Sequence, residues 1–249
     1  MNVIVCVKRV PDTEARIRVD GSGSAIDTAG IKYDMSPYDA FAVEAALRMK
    51  EAAGDGEITL LTLGESSAQE TLRKGLAMGA DKAVLLTGGV SLDGLATAKA
   101  LAGELKSHDA PLFLFGVKAA DDDQSQVGPM VATLTGRPCV TGVSSFEISG
   151  STAVCQREVE GGSETIEVDM PAVLCMPKGP NEPRLAALKG IMAAKKKPLE
   201  EKPAAATDAR MRLVALSEPP ARAAGRIVGE GPAAVEELVR LLREEANAL

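Results

Sequence analysis

An open, mostly parallel α/β sheet, doubly wound with helices on both faces, is the fold that this sequence predicts. Two observations carry the expectation. Up to about residue 137, short apolar runs alternate with amphipathic segments of helical length, the pattern of buried parallel strands joined by crossover helices. Hydrophobic residues make up 45% of 249 positions, enough for one sizeable core or for a core with an appendage.

The first strand is expected at NVIVCVK (2–8), the others at EITLLTLG (57–64), KAVLLT (82–87) and LFLFGV (112–117). The first helix opens at Ser36-Pro37, with serine as N-cap, proline at the first helical position and Asp39 where a capping box places an acid. Ala42, Ala45, Ala46, Met49 and Ala53 then recur at helical spacing. A second helix begins at Ser66 or Ser67 and ends near MGAD, and a third runs through SLDGLATAKALAGELKSH. After residue 138 polar and apolar residues alternate on both sides of Glu160-Gly161-Gly162, a β-hairpin turning at the glycines. PKGPNEPR loosens the chain, and KKKPLEEKPAAATDAR reads as a charged, proline-punctuated connector outside the core. Beyond it RLVAL (212–216) is strand-like, SEPPAR is rigid, and a final helix from Pro232 carries Val235, Leu238, Val239, Leu242 and Ala246 on one face. The expected organisation is a core of residues 1–190, hairpin included, and an extended C-terminal arm of residues 191–249. A terminal amphipathic helix beyond a connector packs on its own core or on another chain, and pattern alone leaves both open.

Charge and composition exclude several functions. Twenty-eight Lys+Arg against 35 Asp+Glu leave a formal charge of −7, and 2% aromatic residues with no tryptophan offer few stacking platforms, which argues against a nucleic-acid binder. Cys6, Cys139, Cys155 and Cys175 are far apart, with no C-x-x-C pair and a single histidine, His108, so no zinc site is expected. The cysteines read as small buried hydrophobes in a reducing cytoplasm. His108 sits near a helix end and gives Ser-His-Asp or Cys-His catalysis little to build on. MNVIVCVKRV lacks an apolar h-region and a small-residue cleavage site, so a soluble cytoplasmic chain without membrane insertion is expected.

GVKAADDDQSQVGPM (116–130) is where the site is expected. Gly116 ends the fourth strand, and a helix start at this place in an open α/β sheet presents backbone N–H groups to an anion. Ser125, Gln126 and Val127 would offer theirs to a phosphate, while Asp121, Asp122 and Asp123 would serve ribose hydroxyls and the helix cap. Acids that only cap an exposed helix are the competing reading. Neither G-x-G-x-x-G nor a Walker A sequence is present.

VKRV after the first strand, SPYDAFAVEAALRMKE, QETLRKGLAMGADKAVLL, the aspartate stretch, and REVEGGSETIEVDMPAVLC followed by NEPRLAALKGIMAAKKKP resemble, in order and essentially end to end, the signature segments of electron-transfer flavoprotein β subunits. The resemblance implies an adenine-nucleotide-binding α/β fold holding a structural AMP. It also implies an α subunit that carries the redox-active FAD and receives this chain's C-terminal arm, electron donors of the acyl-CoA dehydrogenase type, and a membrane quinone oxidoreductase as acceptor. Matched to the family's AMP contacts are Cys6, Ser36, Pro37, Tyr38, Asp39, Leu63, Gly116, Ala119, Asp122, Asp123, Ser125, Gln126 and Val127. Ser36 replaces the commoner asparagine there, Asp39 a small residue, and QSQVGP an asparagine-containing segment. Asn181, Glu182, Pro183, Arg184 and Leu188 match the loop that docks dehydrogenases, with Leu188 as its anchor, although composition alone would put Leu188 in a core. Lys195, Lys196 and Lys197 would steer an acidic partner.

The resemblance implies an electron-carrier subunit, not a free-standing enzyme. A β subunit of the electron-bifurcating kind, with a second FAD in place of AMP oxidising NADH, is the alternative, and a nucleotide-hydrolysing or nucleotide-sensing module ranks last. Two features pull apart. Asp121-Asp122-Asp123 resembles the AMP-binding members, whereas QVGP (126–129) and VPDT (10–13) resemble the bifurcating ones. Asp122 stands where a glycine would let backbone approach the larger cofactor, and this favours AMP.

Overall fold

The computed structural model of the chain describes residues 1–88, 93–221 and 224–249. Strand β1 (Val3–Cys6) is buried at every position, sending Val3 and Val5 to one face of the sheet and Ile4 and Cys6 to the other. A small antiparallel ribbon of β2 (Arg9–Pro11) and β3 (Tyr33–Met35) leads into helix α1 (Pro37–Ala53). The chain continues through β4 (Ile58–Gly64), a 3-10 turn at Ser66–Ala68, α2 (Gln69–Met78), β5 (Lys82–Thr87), α3 (Gly94–Leu105), β6 (Leu112–Gly116) and α4 (Val127–Thr135). Next come β7 (Cys139–Thr141), β8 (Val143–Ser149), β9 (Thr152–Val159), β10 (Gly162–Asp169), β11 (Ala172–Met176), α5 (Leu188–Ala194), β12 (Leu199–Pro203), and α6 (Val235–Glu244) after a second 3-10 turn at Pro232–Ala234.

Seven strands form the central sheet in the order β12-β5-β4-β1-β6-β11-β7, every pairing parallel. From β1 the chain winds outward through β4 to β5, then returns to the other side of β1 at β6. The winding therefore reverses between β1 and β6, where an open sheet leaves a crevice at its carboxyl edge. Helices α1 and α2 pack on the face of Val3, Val5, Leu60 and Leu85, and α3 and α4 cover Ile4, Leu61, Val84 and Phe113 opposite. The doubly wound expectation holds. So does the hairpin: β9 and β10 turn at Glu160-Gly161, where Gly161 takes φ 79°, and β8 completes a three-stranded antiparallel sheet.

Several local expectations are corrected. Three sheet strands, β7, β11 and β12, lie beyond the four expected. Within the hairpin stretch, PAVLCM supplies β11, whose five residues are all buried between β6 and β7. The expected connector supplies β12, which pairs with β5 along its whole length. RLVAL forms no strand: it has no sheet partner among the described residues, and Leu213 and Val214 are exposed. The buried stripe of α1 runs through Phe41, Ala42, Val43, Ala46 and Leu47, leaving Ala53 exposed. Helix α3 starts at an Asp93 cap, whose carboxylate accepts from Ala96 N at 2.8 Å; Ser91 and Leu92, expected in that helix, lie outside the described residues. On α6, Leu241, off the expected stripe, is the buried residue, while Val235 and Leu238 are exposed and Ala246 falls beyond the helix end. Cys6, Cys155 and Cys175 are buried, Cys139 is half-buried, and all are free thiols.

Candidate functional site

The crevice between the ends of β1 and β6 gathers residues from four elements. Proline at the first position of α1 sets the helix direction and leaves Ser36 just before it. Ser36 does not cap: its hydroxyl is fully buried and makes no hydrogen bond to any described residue. Nor does Asp39 reach back to form a capping box. Its carboxylate turns inward, accepting Lys8 N–H at 2.7 Å on Oδ2 and Gly116 N–H at 3.0 Å on Oδ1. One side chain thus ties the end of β1 to the end of β6. Burial pushes the Asp39 carboxyl up to about 7, with the two N–H donors and the Lys8 charge opposing that shift. Gly116 is required by this contact. A Cβ there would overlap Asp39 Oδ1 and lie 2.8 Å from Tyr38 Cβ.

The aspartates do not cap α4, which begins only at Val127. Asp121 and Asp122 instead hold Lys8 Nζ at 2.8 and 3.0 Å, and Asp123 pairs with Lys118 at 2.7 Å. Burial opposes the Lys8 ammonium, but the two carboxylates outweigh it and hold its pKa above the ordinary lysine value. Asp123 and Ser125 adopt left-handed φ of 51° and 54°, a curled path that brings the chain to the helix start. There the N–H groups of Ser125, Gln126 and Val127 have no hydrogen-bond partner among the described residues, as at the first turn of a helix. Ala119 is half-buried and its carbonyl accepts Asp123 N–H at 3.0 Å. Pro37, Tyr38 and Leu63 are half-buried; Lys118 lies 5.5 Å from the Tyr38 ring. Cys6 lies at the end of β1, its thiol pushed well up by burial and then by Asp39, which disfavours the thiolate.

Sequence reading missed Lys8 and Lys118, though VKRV and GVKA each placed a lysine two residues past a strand end. The arrangement has an orphaned buried hydroxyl, unpartnered backbone donors and two lysines ion-paired to three aspartates. Among the described residues, the hydroxyl before α1 and the N–H groups at the start of α4 are the polar groups left here for a ligand to satisfy.

The second expected site divides. Leu188 is 76% exposed at the start of α5, which removes the core reading, and Leu185, not singled out in the sequence, is 94% exposed. Asn181 and Glu182 are exposed, and Pro183 is half-buried. Arg184 is not a free surface group. It folds back onto α1, donating through Nε to Glu44 Oε2 at 2.8 Å and through Nη1 to Glu51 Oε1 at 2.5 Å. Lys197 also turns inward, its Nζ donating to the carbonyls of Leu76 at 3.0 Å and Ala80 at 2.6 Å near the end of α2, so only Lys195 and Lys196 of the basic run remain exposed.

An open, doubly wound α/β sheet with polar residues gathered at its switch point and a loop of exposed leucines on the α1–α2 side defines the class. A family model described as the electron transfer flavoprotein domain matches residues 24–207. The chain is 40% identical to the electron transfer flavoprotein subunit beta of Bradyrhizobium diazoefficiens, covering 100% of both chains. It is 37% identical to that of Bacillus subtilis, again over 100% of both, and 36% identical to that of Mus musculus over 98% of this chain and 97% of the relative. The chain belongs to the electron transfer flavoprotein family, among its β subunits. Among the described residues no helix is long and apolar enough to cross a membrane, and no cluster of three potential metal ligands occurs.

Proposed function

We propose that the chain pairs with an electron-transfer flavoprotein α subunit to form a soluble, cytoplasmic electron carrier, with AMP bound in the β1–β6 crevice. Electrons would pass from flavin dehydrogenases of the acyl-CoA type, as in fatty-acid oxidation, to a membrane quinone oxidoreductase. FAD, held mainly by the α subunit, supplies the redox chemistry when bound. This chain's residues position and dock.

The observation that carries the reading is the fully buried, unpartnered Ser36 hydroxyl before α1, beside the strand end where Lys8 O accepts Ser36 N–H at 3.0 Å, together with the unpartnered N–H groups at the start of α4. A buried hydroxyl without a partner costs about 1–3 kcal/mol, a penalty that a ligand's polar edge would remove. Ser36 would serve the base end of AMP, Asp122 the ribose side, and Ser125, Gln126 and Val127 the phosphate, with Gly116 and Ala119 as close-packed backbone.

The features resembling the bifurcating members have packing explanations that do not require a second FAD. Gly128 of QVGP packs where a Cβ would overlap Cys175 Sγ and come within 3.4 Å of Phe115 Cγ, so this glycine answers to the core beneath α4. Val10 and Pro11 of VPDT are strand residues of the β2–β3 ribbon, with Val10 buried. Asp122 remains as a side chain at the crevice mouth, held by Lys8. Denaturing the purified heterodimer and counting released cofactors tests the assignment: one FAD with one AMP is expected, whereas two FAD per complex, with flavin reducible by NADH, would establish the bifurcating reading instead.

A further inference from the structure

We infer that Arg184 is a positioning residue: by clamping the apolar docking loop to α1 through Glu44 and Glu51, it holds Leu185 and Leu188 ready for a dehydrogenase before contact. The inference rests on the docking reading given under Proposed function and adds the device that makes a loop without regular structure act as a rigid anchor.

Residues 179–187 form neither helix nor strand, yet they carry an exposed leucine at 185 and lead to another at 188. A free loop of this kind loses conformational entropy on docking, and ordering it weakens capture. Here the ordering is built in. Glu44, on the core side of α1, is 1% exposed, an unusual place for a carboxylate on a helix whose other buried residues, Asp39 apart, are apolar. Its oxygens accept Arg184 N–H at 3.2 Å, Nε at 2.8 Å and Nη2 at 3.0 Å, while Glu51, two turns along, accepts Nη1 at 2.5 Å and Nη2 at 3.1 Å. Burial raises the Glu44 carboxyl, but Arg184 and Arg48 outweigh it and hold it below the ordinary glutamate value, so the pair stays ionised. The planar fork engages two carboxylates at once, a geometry that lysine cannot reproduce.

The other end of the loop is fixed independently. A Cβ at Gly190 would overlap the Ala77 carbonyl oxygen, so α5 lies directly on α2, and Arg73 Nη1 donates to the carbonyls of Ala194 at 2.6 Å and Lys197 at 2.8 Å. With both ends held, the exposed leucines project from a short span that has little freedom left. A buried ion pair is weak support for a stability role, because apolar replacements of similar volume do as well or better. A clamp placed directly before an exposed apolar pair is explained by what it positions.

The test uses the intact heterodimer with an acyl-CoA dehydrogenase as electron donor, and measures kcat, the KM for the heterodimer, the flavin spectrum, and hydrogen exchange of residues 181–194. Arg184→Ala is expected to speed exchange in that segment and raise KM about fivefold, with kcat and the flavin spectrum unchanged. Arg184→Lys, which keeps the charge beside Glu44 and guards against misfolding of the alanine variant, is expected to show the same split at smaller size. Leu188→Ala serves as the reference. If Leu188→Ala raises KM but both Arg184 variants leave KM at the wild-type value, the clamp is not a positioning device and the inference fails while the docking reading stands. If Leu188→Ala itself leaves KM unchanged, the docking reading falls and takes the inference with it.

Discussion

Asp39 joins the ends of two neighbouring strands by accepting hydrogen bonds from Lys8 and Gly116, and its carboxyl, pushed up to about 7 by burial, makes that junction sensitive to pH. The folded state binds this proton more tightly than the unfolded chain, whose aspartate titrates near 3.9. The contribution of Asp39 is therefore full below about pH 4 and declines as pH rises toward 7. A carboxamide at this position cannot ionise and removes that dependence: the stability of Asp39→Asn relative to wild type should improve with each pH unit between 4 and 7, as read by urea denaturation at stepped pH. A parallel pH course for the two proteins would show that Asp39 is ionised throughout. Gly116 meets the same carboxylate from the other side. A Cβ there presses on Asp39 N at 2.9 Å as well as on its side chain, and backbone cannot step aside cheaply. Gly116→Ala is expected to cost about 1–3 kcal/mol of stability and to lower the AMP recovered per purified complex. Full retention of both would remove this residue from the site. Asp39 was legible as an acid at a helix start and Gly116 as the end of a strand, and the resemblance put both at the cofactor. What they do for each other was not legible, since 77 residues separate a carboxylate from the N–H it accepts.

At the scale of elements, legibility followed burial on both faces. β4, β5 and β6 were readable because sheet positions covered by helices on either side admit a continuous apolar run, and KAVLLT was located to the residue. β12 was hidden by the chemistry of an edge strand: Leu199–Pro203 carries Glu200, Glu201 and Lys202 and ends in proline, the composition that keeps a sheet edge from pairing with other chains. RLVAL shows the reverse, an apolar run left unpaired on the surface. The distinction bears on where the folded core ends. Expected from pattern to close near residue 190, it takes in a strand at Leu199–Pro203, and Ala204 N–H still bonds Thr87 O at 3.0 Å. A chain ending after 218 should retain the wild-type far-UV spectrum and cooperative unfolding while failing to copurify with the α subunit, because it lacks α6 with its exposed Val235 and Leu238. A chain ending at 190 should be less stable and prone to aggregate, since β5 becomes a bare edge and the carbonyls capped by Lys197 lose their partner. Equal stability of the two truncations would place the core boundary at 190 after all.

For the whole molecule, the net charge of −7 hides an uneven surface. Around the 179–187 loop, Arg184 is consumed by Glu44 and Glu51 and Lys197 by the end of α2, and the exposed charges left without an ion pair among the described residues are Lys178, Lys189, Lys195 and Lys196 against Glu182. On the proposed docking role, a basic patch beside the exposed leucines would orient a partner whose rim is acidic, and such a field acts on association more than on the bound state. Electron transfer under second-order conditions should consequently slow several-fold between about 0.05 and 0.2 M salt, as the screening length shrinks from about 14 to about 7 Å. The double variant Lys195→Gln/Lys196→Gln should begin slower at low salt and show a flatter salt dependence, with kcat at saturation unchanged, because both side chains are exposed and make no ion pair or hydrogen bond among the described residues. The steering role would be lost if wild type and variant shared one salt slope. A fall in kcat would point instead to a contact made within the docked complex.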